Sequence, residues 1–281
     1  MKKYVITTLD KNYCRKWISS WLGSLKEFAD HQGEILIINW GNIPRHVVRR
    51  LQAHGCTVEY GEPFYKYPPL DRFLSIAEVA RKRPGIFLYW EADVSFHGPV
   101  APAFDLATEK LVACLDEPVS AFNTNFYHLR DVLPDYTACH ELLNRVIATH
   151  GRLLHTGFVG GPTEMWDAFG NFLRFAVSAG VRKYEGADTF ILNAFAACHQ
   201  NQFSVADSMW NFLDPGHLGN QPVIHLAGTT KYTADTRSLL FRHRYPGLYR
   251  KWYDDLINRN SFFPETIVAK CGGKRLFFPA R

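Results

Sequence analysis

The sequence predicts an α/β fold with a Rossmann-like, mostly parallel central sheet flanked by helices. Three observations carry that expectation. From Tyr4 to Ser95, short β-branched and aromatic runs alternate with amphipathic stretches, the order that builds parallel sheets. The run Ile86 to Trp90 (IFLYW), set off by Pro84 and Gly85, is apolar without alternation, as a strand buried on both faces must be. A chain of 281 residues that is 47% hydrophobic and 15% aromatic can also bury a full core.

Taken in order, Tyr4 to Thr8 is the first strand, and Asp10, Asn12 and Tyr13 form a turn into a helix. That helix carries Cys14, Trp17, Ile18, Trp21, Leu22, Leu25 and Phe28 at i, i+3, i+4 spacing, one wide apolar stripe. Glu34 to Ile38 is a second strand. A helix from Pro44 to His54, with proline in its first turn, leads to a third strand at Cys56 to Tyr60. Asp71 is the expected cap of a helix through Ile76, Val79 and Ala80 to Arg83, stopped by Pro84 and Gly85 before the apolar strand. Farther on, Lys110 to Leu115 reads as a strand, while Asn123 to Tyr136 has no period and reads as a loop over the site. His155 to Gly161 is a strand with a glycine-rich end, followed by helices from Glu164 to Ala179 and from Asp188 through Asn193 and Ala197. Val223 to Gly228 is a last strand and turn. These elements place one domain at 1–240 and a small basic, aromatic extension at 241–281. Within that extension Phe241, Arg242, Arg244, Tyr249, Lys251 and Trp252 mix cations with rings. That mixture suits a subdomain packing its rings onto the core, an anionic membrane face, or a nucleic-acid backbone.

Several classes are set aside. No apolar run reaches the roughly 20 residues of a membrane span. The apolar segment after Lys2 and Lys3 ends at Asp10, too short for a signal peptide. The six cysteines form no C-x-x-C pair, which fits reduced thiols better than a disulfide frame or a zinc site. A cytoplasmic address is expected, peripheral to the inner face of a membrane if the extension meets lipid. The net charge of +5 fits an anionic ligand, an acidic membrane face or nucleic acid.

The chemistry centres on Glu91 and Asp93. In open α/β sheets ligands bind beyond the carboxyl ends of the strands, and these two carboxylates follow such an end. On an extended chain they would share one side. Two hard oxygen ligands suit a divalent cation that bridges to phosphate oxygens, and so a transferase with a nucleoside diphosphate leaving group. The plainer alternative is a pair of solvated carboxylates capping the next loop. His225, after an apolar pair, is either a structural histidine or a third ligand beside that pair. Asp10 and Asn12 could simply cap the first helix, and Tyr13 could pack against it.

Five segments taken together resemble the GT-A glycosyltransferases, with the nearest likeness to family 8, the glycogenin and bacterial galactosyltransferase group. They are Thr8 to Tyr13, Tyr89 to Val94, His155 to Gly157, Asp188 to Asn193, and His225 to Lys231. The resemblance implies that Asp10 and Tyr13, with Thr8 and Asn12 beside them, hold a uracil base. It implies that Arg72 contacts the donor. Glu91 and Asp93, with Ala92 between them, match the metal-binding D-x-D, and His225 completes the metal site. Gly228 and Lys231 face the diphosphate, and His155, Thr156 and Gly157 lie on the acceptor side. Asp188 lies on the sugar and acceptor side; with Asp93 it makes the catalytic pair. The implied ion is Mn²⁺, with Mg²⁺ as the alternative. The implied activity is metal-dependent, hexosyltransferase-like transfer from a UDP-sugar to a hydroxyl of a saccharide or lipid-linked glycan, with retention by analogy.

The sequence departs from the family at several places. Glu91 stands where Asp is usual, His155 and Thr156 replace Asn and Ser or Ala, Thr189 replaces Gln, and Tyr232 and Thr233 follow Lys231 in place of Pro and Trp. Two other readings use the same residues: a noncatalytic sugar- or nucleotide-binding protein on this fold, and a glycosyltransferase with a nucleic-acid acceptor. A nucleotidyltransferase would want a glycine-rich phosphate loop, and Thr7 to Asp10 has no glycine.

Overall fold

The computed structural model describes residues 1–116, 135–183, 185–211, 221–225, 241–258, 266–271 and 274–279. Its centre is a seven-stranded mixed sheet. The first four strands are β1 (Lys3–Leu9), β2 (Glu34–Asn39), β3 (Cys56–Tyr60) and β4 (Ile86–Trp90). Then come β5 (Val94–Phe96), β6 (Leu111–Leu115), β7 (Leu154–Pro162), β8 (Phe203–Ala206) and β9 (Val223–His225). The sheet order is β3-β2-β1-β4-β7-β6-β8, while β5 and β9 form a separate pair. β3, β2, β1 and β4 run parallel, and β6 is parallel to β8. β7 runs antiparallel to both β4 and β6.

The helices are α1 (Lys11–Phe28), α2 (Arg45–Ala53), α3 (Pro68–Lys82), α4 (Ala101–Leu106), α5 (Tyr136–His150), α6 (Thr163–Ser178), α7 (Ala187–Cys198), α8 (Phe241–Arg244) and α9 (Pro246–Leu256). They cover both faces of the sheet. Because strand side chains alternate, Val5, Leu88 and Trp90 enter one apolar core with Trp17, Trp21 and Leu51 of α1 and α2. Tyr4, Ile6, Phe87 and Tyr89 enter the other with Phe73, Trp166 and Phe195 of α3, α6 and α7. β4 sits between the two cores, so both of its faces are apolar. α8 and α9, the start of the 241–281 segment, pack on α1: Phe241, Trp252 and Leu256 are buried there. A Cβ on Gly23 would lie 2.8 Å from the Trp252 ring, which is why α1 carries glycine at that crossing. The segment ends in an antiparallel hairpin, β10 (Thr266–Cys271) with β11 (Lys274–Pro279).

Two local expectations are corrected. α3 begins at Pro68, with prolines in its first turn, so Asp71 lies inside it. The Asp71 carboxylate instead accepts the Tyr65 and Tyr67 N–H groups, pinning the chain that enters the helix. α7 is capped by Gly186 in the left-handed region (φ 86°), which excludes Asp188 as its cap. α5, capped by Asp135, begins where the patternless stretch was expected to end; residues 123–134 of that stretch lie outside the described residues. The short elements β5, α4 and β8 carry too few residues for a period to show. Cys14, Cys56, Cys114, Cys139 and Cys198 are free thiols. Among the described residues no helix is long and apolar enough to cross a membrane.

Candidate metal and nucleotide site

The site forms where β1, β2, β4 and β7 meet, beyond the carboxyl ends of the parallel strands. The chain is not extended after Trp90. It turns, with the Val94 N–H reaching the Glu91 carbonyl at 3.3 Å, so Glu91 and Asp93 converge through a turn and not by strand alternation. β5 then pairs antiparallel with β9, setting Val94 opposite His225. This register delivers the histidine: His225 Nε2 lies 3.0 Å from Glu91 Oε2 and 3.2 Å from Asp93 Oδ1. Ligand atoms of the three residues lie within 4.8 Å of one another. His225 is fully buried and Asp93 nearly so, which excludes the reading of this pair as solvated loop caps.

Electrostatics ties the group together. Burial works against a charged His225 ring, yet the Asp93 and Glu91 carboxylates outweigh it and raise the pKa to about 9. Burial likewise opposes a charged Glu91, but Arg72 and then His225 outweigh it and hold this carboxyl well below the usual range. Two carboxylates and an imidazole form a donor set that fits Mn²⁺ and, less typically, Mg²⁺. The fit also shows in Nε2, a buried nitrogen that meets hydrogen-bond geometry with neither carboxylate. On the far side of the ring, His225 Nδ1 bonds Asn211 Oδ1 at 2.9 Å, the second contact a ligating histidine needs to hold its orientation.

A pH response follows from the raised His225 pKa. A pKa of about 9 in the fold, against 6.5 ordinarily, adds stability that is fully present below pH 6.5 and lost as pH rises through 9. The metal-free protein is therefore expected to melt at falling temperature from pH 6.5 to 9.5. A bound cation must displace that proton, so the Mn²⁺-induced rise in Tm should grow across the same window. Calorimetry with and without Mn²⁺ checks both slopes, and a Mn²⁺ effect that shrinks with pH would remove His225 from the metal site.

Next to these carboxylates lies a half-open cleft of about 160 Å³ lined by Thr8, Asp10, Tyr13, Trp40, Arg72, Tyr89, Glu91 and Ala92 together with Pro68 and Pro69. Asp10 caps α1, its carboxylate accepting the Tyr13 N–H at 2.7 Å. Tyr13 lines this cleft and is 47% exposed. Asn12 is exposed on α1, next to Tyr13.

Arg72 is a half-buried hub, its side chain 11% exposed. Its guanidinium pairs with Glu91 and Asp188, and it donates to Thr156 Oγ1 at 3.0 Å and Tyr89 Oη at 3.2 Å. Thr156 in turn donates to Asp188 Oδ2 at 3.1 Å. Gly157 supplies space: a Cβ there would lie 2.5 Å from His225 Nδ1 and 2.6 Å from Asn211 Oδ1. The His155 ring stands edge-on to His225 with centroids 5.3 Å apart, and burial lowers its pKa. Gly228 and Lys231 lie outside the described residues.

Two residues of the site escaped sequence reasoning. Trp40 follows β2 directly, and the carboxyl-end rule that selected Glu91 could have selected it too. Asn211 ends a short 3₁₀ turn (Ser208–Asn211) that carries no motif.

No family model matches the chain, and no curated protein matches it in sequence. Among solved structures it is similar to the galactosyltransferase LgtC in complex with donor and acceptor sugar analogs. That likeness has 14% identity and a TM-score of 0.59, covering 88% of this chain and 95% of that one. An active-site mutant of LgtC is similar at 14% identity and TM-score 0.53, covering 80% and 87%. The likeness establishes the GT-A fold; identity this low does not establish family membership.

Proposed function

We propose that this protein transfers a hexosyl group from a nucleotide sugar, UDP-linked, to a hydroxyl acceptor on a saccharide or lipid-linked glycan. The observation that carries the reading is the convergence of Glu91, Asp93 and His225 beside the Tyr13–Trp40 cleft. Tyr13 and Trp40 form two aromatic walls suited to a planar base, with Asp10 and Thr8 supplying polar contacts and Asn12 more remote. Glu91, Asp93 and His225 would hold Mn²⁺, whose chemistry is to neutralise the charge that develops on a leaving diphosphate. Lys231 and Gly228 are assigned to that diphosphate as well. A solved structure of similar fold holds donor and acceptor sugar analogs, which supports both halves of the reading.

Arg72 fixes Glu91 at the metal end and Asp188 at the sugar end with one side chain. Asp188, Thr156 and His155 face the acceptor side in this reading. If the reaction inverts, Asp188 is the base that takes the acceptor proton; if it retains, no strong protein base is required. We also assign the chain to the cytoplasm, with 1–240 as the transferase unit and 241–281 as its extension.

A thermal-shift panel of UDP, GDP, CDP and ADP, each with and without Mn²⁺, tests the reading. A nucleotide at about 100 times its Kd adds roughly 2.7 kcal/mol, a rise of a few degrees for a domain of this size. UDP is expected to shift the melt only with Mn²⁺, and hydrolysis of a UDP-sugar separates an enzyme from a binding protein. If no nucleotide shifts the melt, the cleft does not bind a donor.

A further inference from the structure

We infer that Asn211 is the positioning residue that sets the tautomers of both histidines in the site and thereby turns the lone pair of His225 toward Glu91 and Asp93. The functional side of this inference rests on the metal reading above; the tautomer side rests on hydrogen bonds alone.

The argument starts from a backbone group whose role is fixed. The Gly157 N–H donates to His155 Nδ1 at 2.9 Å. An amide N–H cannot accept, so that ring nitrogen carries the lone pair and His155 keeps its hydrogen on Nε2. Asn211 approaches the same nitrogen at 3.0 Å. It must present its NH₂ there, since its oxygen would face a lone pair. That choice fixes the rotation of the carboxamide and leaves Oδ1 against His225 Nδ1 at 2.9 Å. An oxygen accepts, so the hydrogen of the neutral His225 ring sits on Nδ1. The lone pair is then on Nε2, the atom 3.0 Å and 3.2 Å from the Glu91 and Asp93 oxygens. A metal-ligating imidazole requires this arrangement: lone pair inward, N–H held from behind.

Burial makes the relay hard to replace. Asn211 is 1% exposed and His225 0%, so solvent does not offer His225 Nδ1 another partner. The turn that ends in Asn211 is anchored by Trp90, whose Nε1–H donates to the Trp210 carbonyl at 2.8 Å. Gly157 contributes twice, through its N–H and through the Cβ it lacks.

The experiment measures Mn²⁺ affinity of the full-length protein by the electron paramagnetic resonance of free Mn²⁺. Asn211→Leu keeps the volume and loses both bonds; it is expected to weaken Mn²⁺ binding 10- to 100-fold, the scale for removing such a partner. Asn211→Asp keeps an oxygen on His225 Nδ1 but sets its second oxygen against the His155 lone pair, so it is expected to weaken Mn²⁺ binding less than Asn211→Leu does. If the Leu variant binds as the parent does, Asn211 only fills space and the inference is overturned; equal losses in both variants overturn it too, since the oxygen on His225 Nδ1 would then contribute nothing. The histidine ¹⁵N spectrum of the metal-free parent at pH 10 gives a readout that needs no variant. Hydrogen on His225 Nδ1 and on His155 Nε2 is expected, and the opposite tautomer in either ring overturns the relay. Failure of the parent to bind Mn²⁺ would sink the proposed function, and the ring spectrum would still decide the role of Asn211.

Discussion

Asp93→Ala is expected to lower sugar transfer about 10³-fold, the scale for removing one preorganised electrostatic group from a reacting site, and to abolish the Mn²⁺-dependent rise in Tm with UDP. Of the two carboxylates proposed to hold the ion, Asp93 is the more deeply buried. Its side chain is 2% exposed, and its neighbour Val94 is locked in register with His225. Asp93→Asn separates charge from shape, since it keeps the volume and removes the ionic ligand. Both variants should lose transfer alike, while only Ala leaves a cavity and lowers the melting temperature further. Full transfer activity in Asp93→Ala with a confirmed donor would overturn the metal-dependent reading.

The two carboxylates were legible because a buried strand is a strong signal and its end is a known place for ligands. Their geometry was not. Side-chain alternation put Glu91 and Asp93 on one side of an extended chain, but the turn after Trp90 brings them together by another route. That turn exists because β5 pairs with β9, a contact between segments far apart in sequence that no local pattern encodes. Arg72 shows the same limit: a lone arginine on a helix carries no sign of the three elements it bridges. Asn211 has neither a motif nor a period to mark it. The periodic helices α1, α2 and α6 were readable since their apolar stripes face the sheet directly. α5 was missed because the segment before it has no pattern.

Arg72→Ala is expected to be the most destabilising single change in the site, by about 3 to 5 kcal/mol, the cost of leaving buried charges without their partner. The guanidinium pairs with Glu91 and Asp188 at once, and the side chains of all three residues are 20% exposed or less. Removing it leaves Glu91, Asp93 and Asp188 near one another, with His225 the group among the described residues that pairs with Glu91 and Asp93. Arg72→Lys is expected to restore part of the loss and no more, because a single ammonium cannot span two carboxylates and also reach Thr156 and Tyr89 as the planar fork does. Mn²⁺ offers a separate check on the cause. If the cost is uncompensated negative charge, a cation bound at Glu91 and Asp93 relieves it, and the Mn²⁺-induced rise in Tm should be larger in Arg72→Ala than in the parent. If the cost were lost packing over the Phe73 and Tyr89 rings, which the guanidinium covers at 4.8 Å and 5.6 Å, Mn²⁺ would raise both proteins equally. Chemical denaturation of the parent and the two variants, each with and without Mn²⁺, separates charge from contact at the residue that joins Glu91 to Asp188.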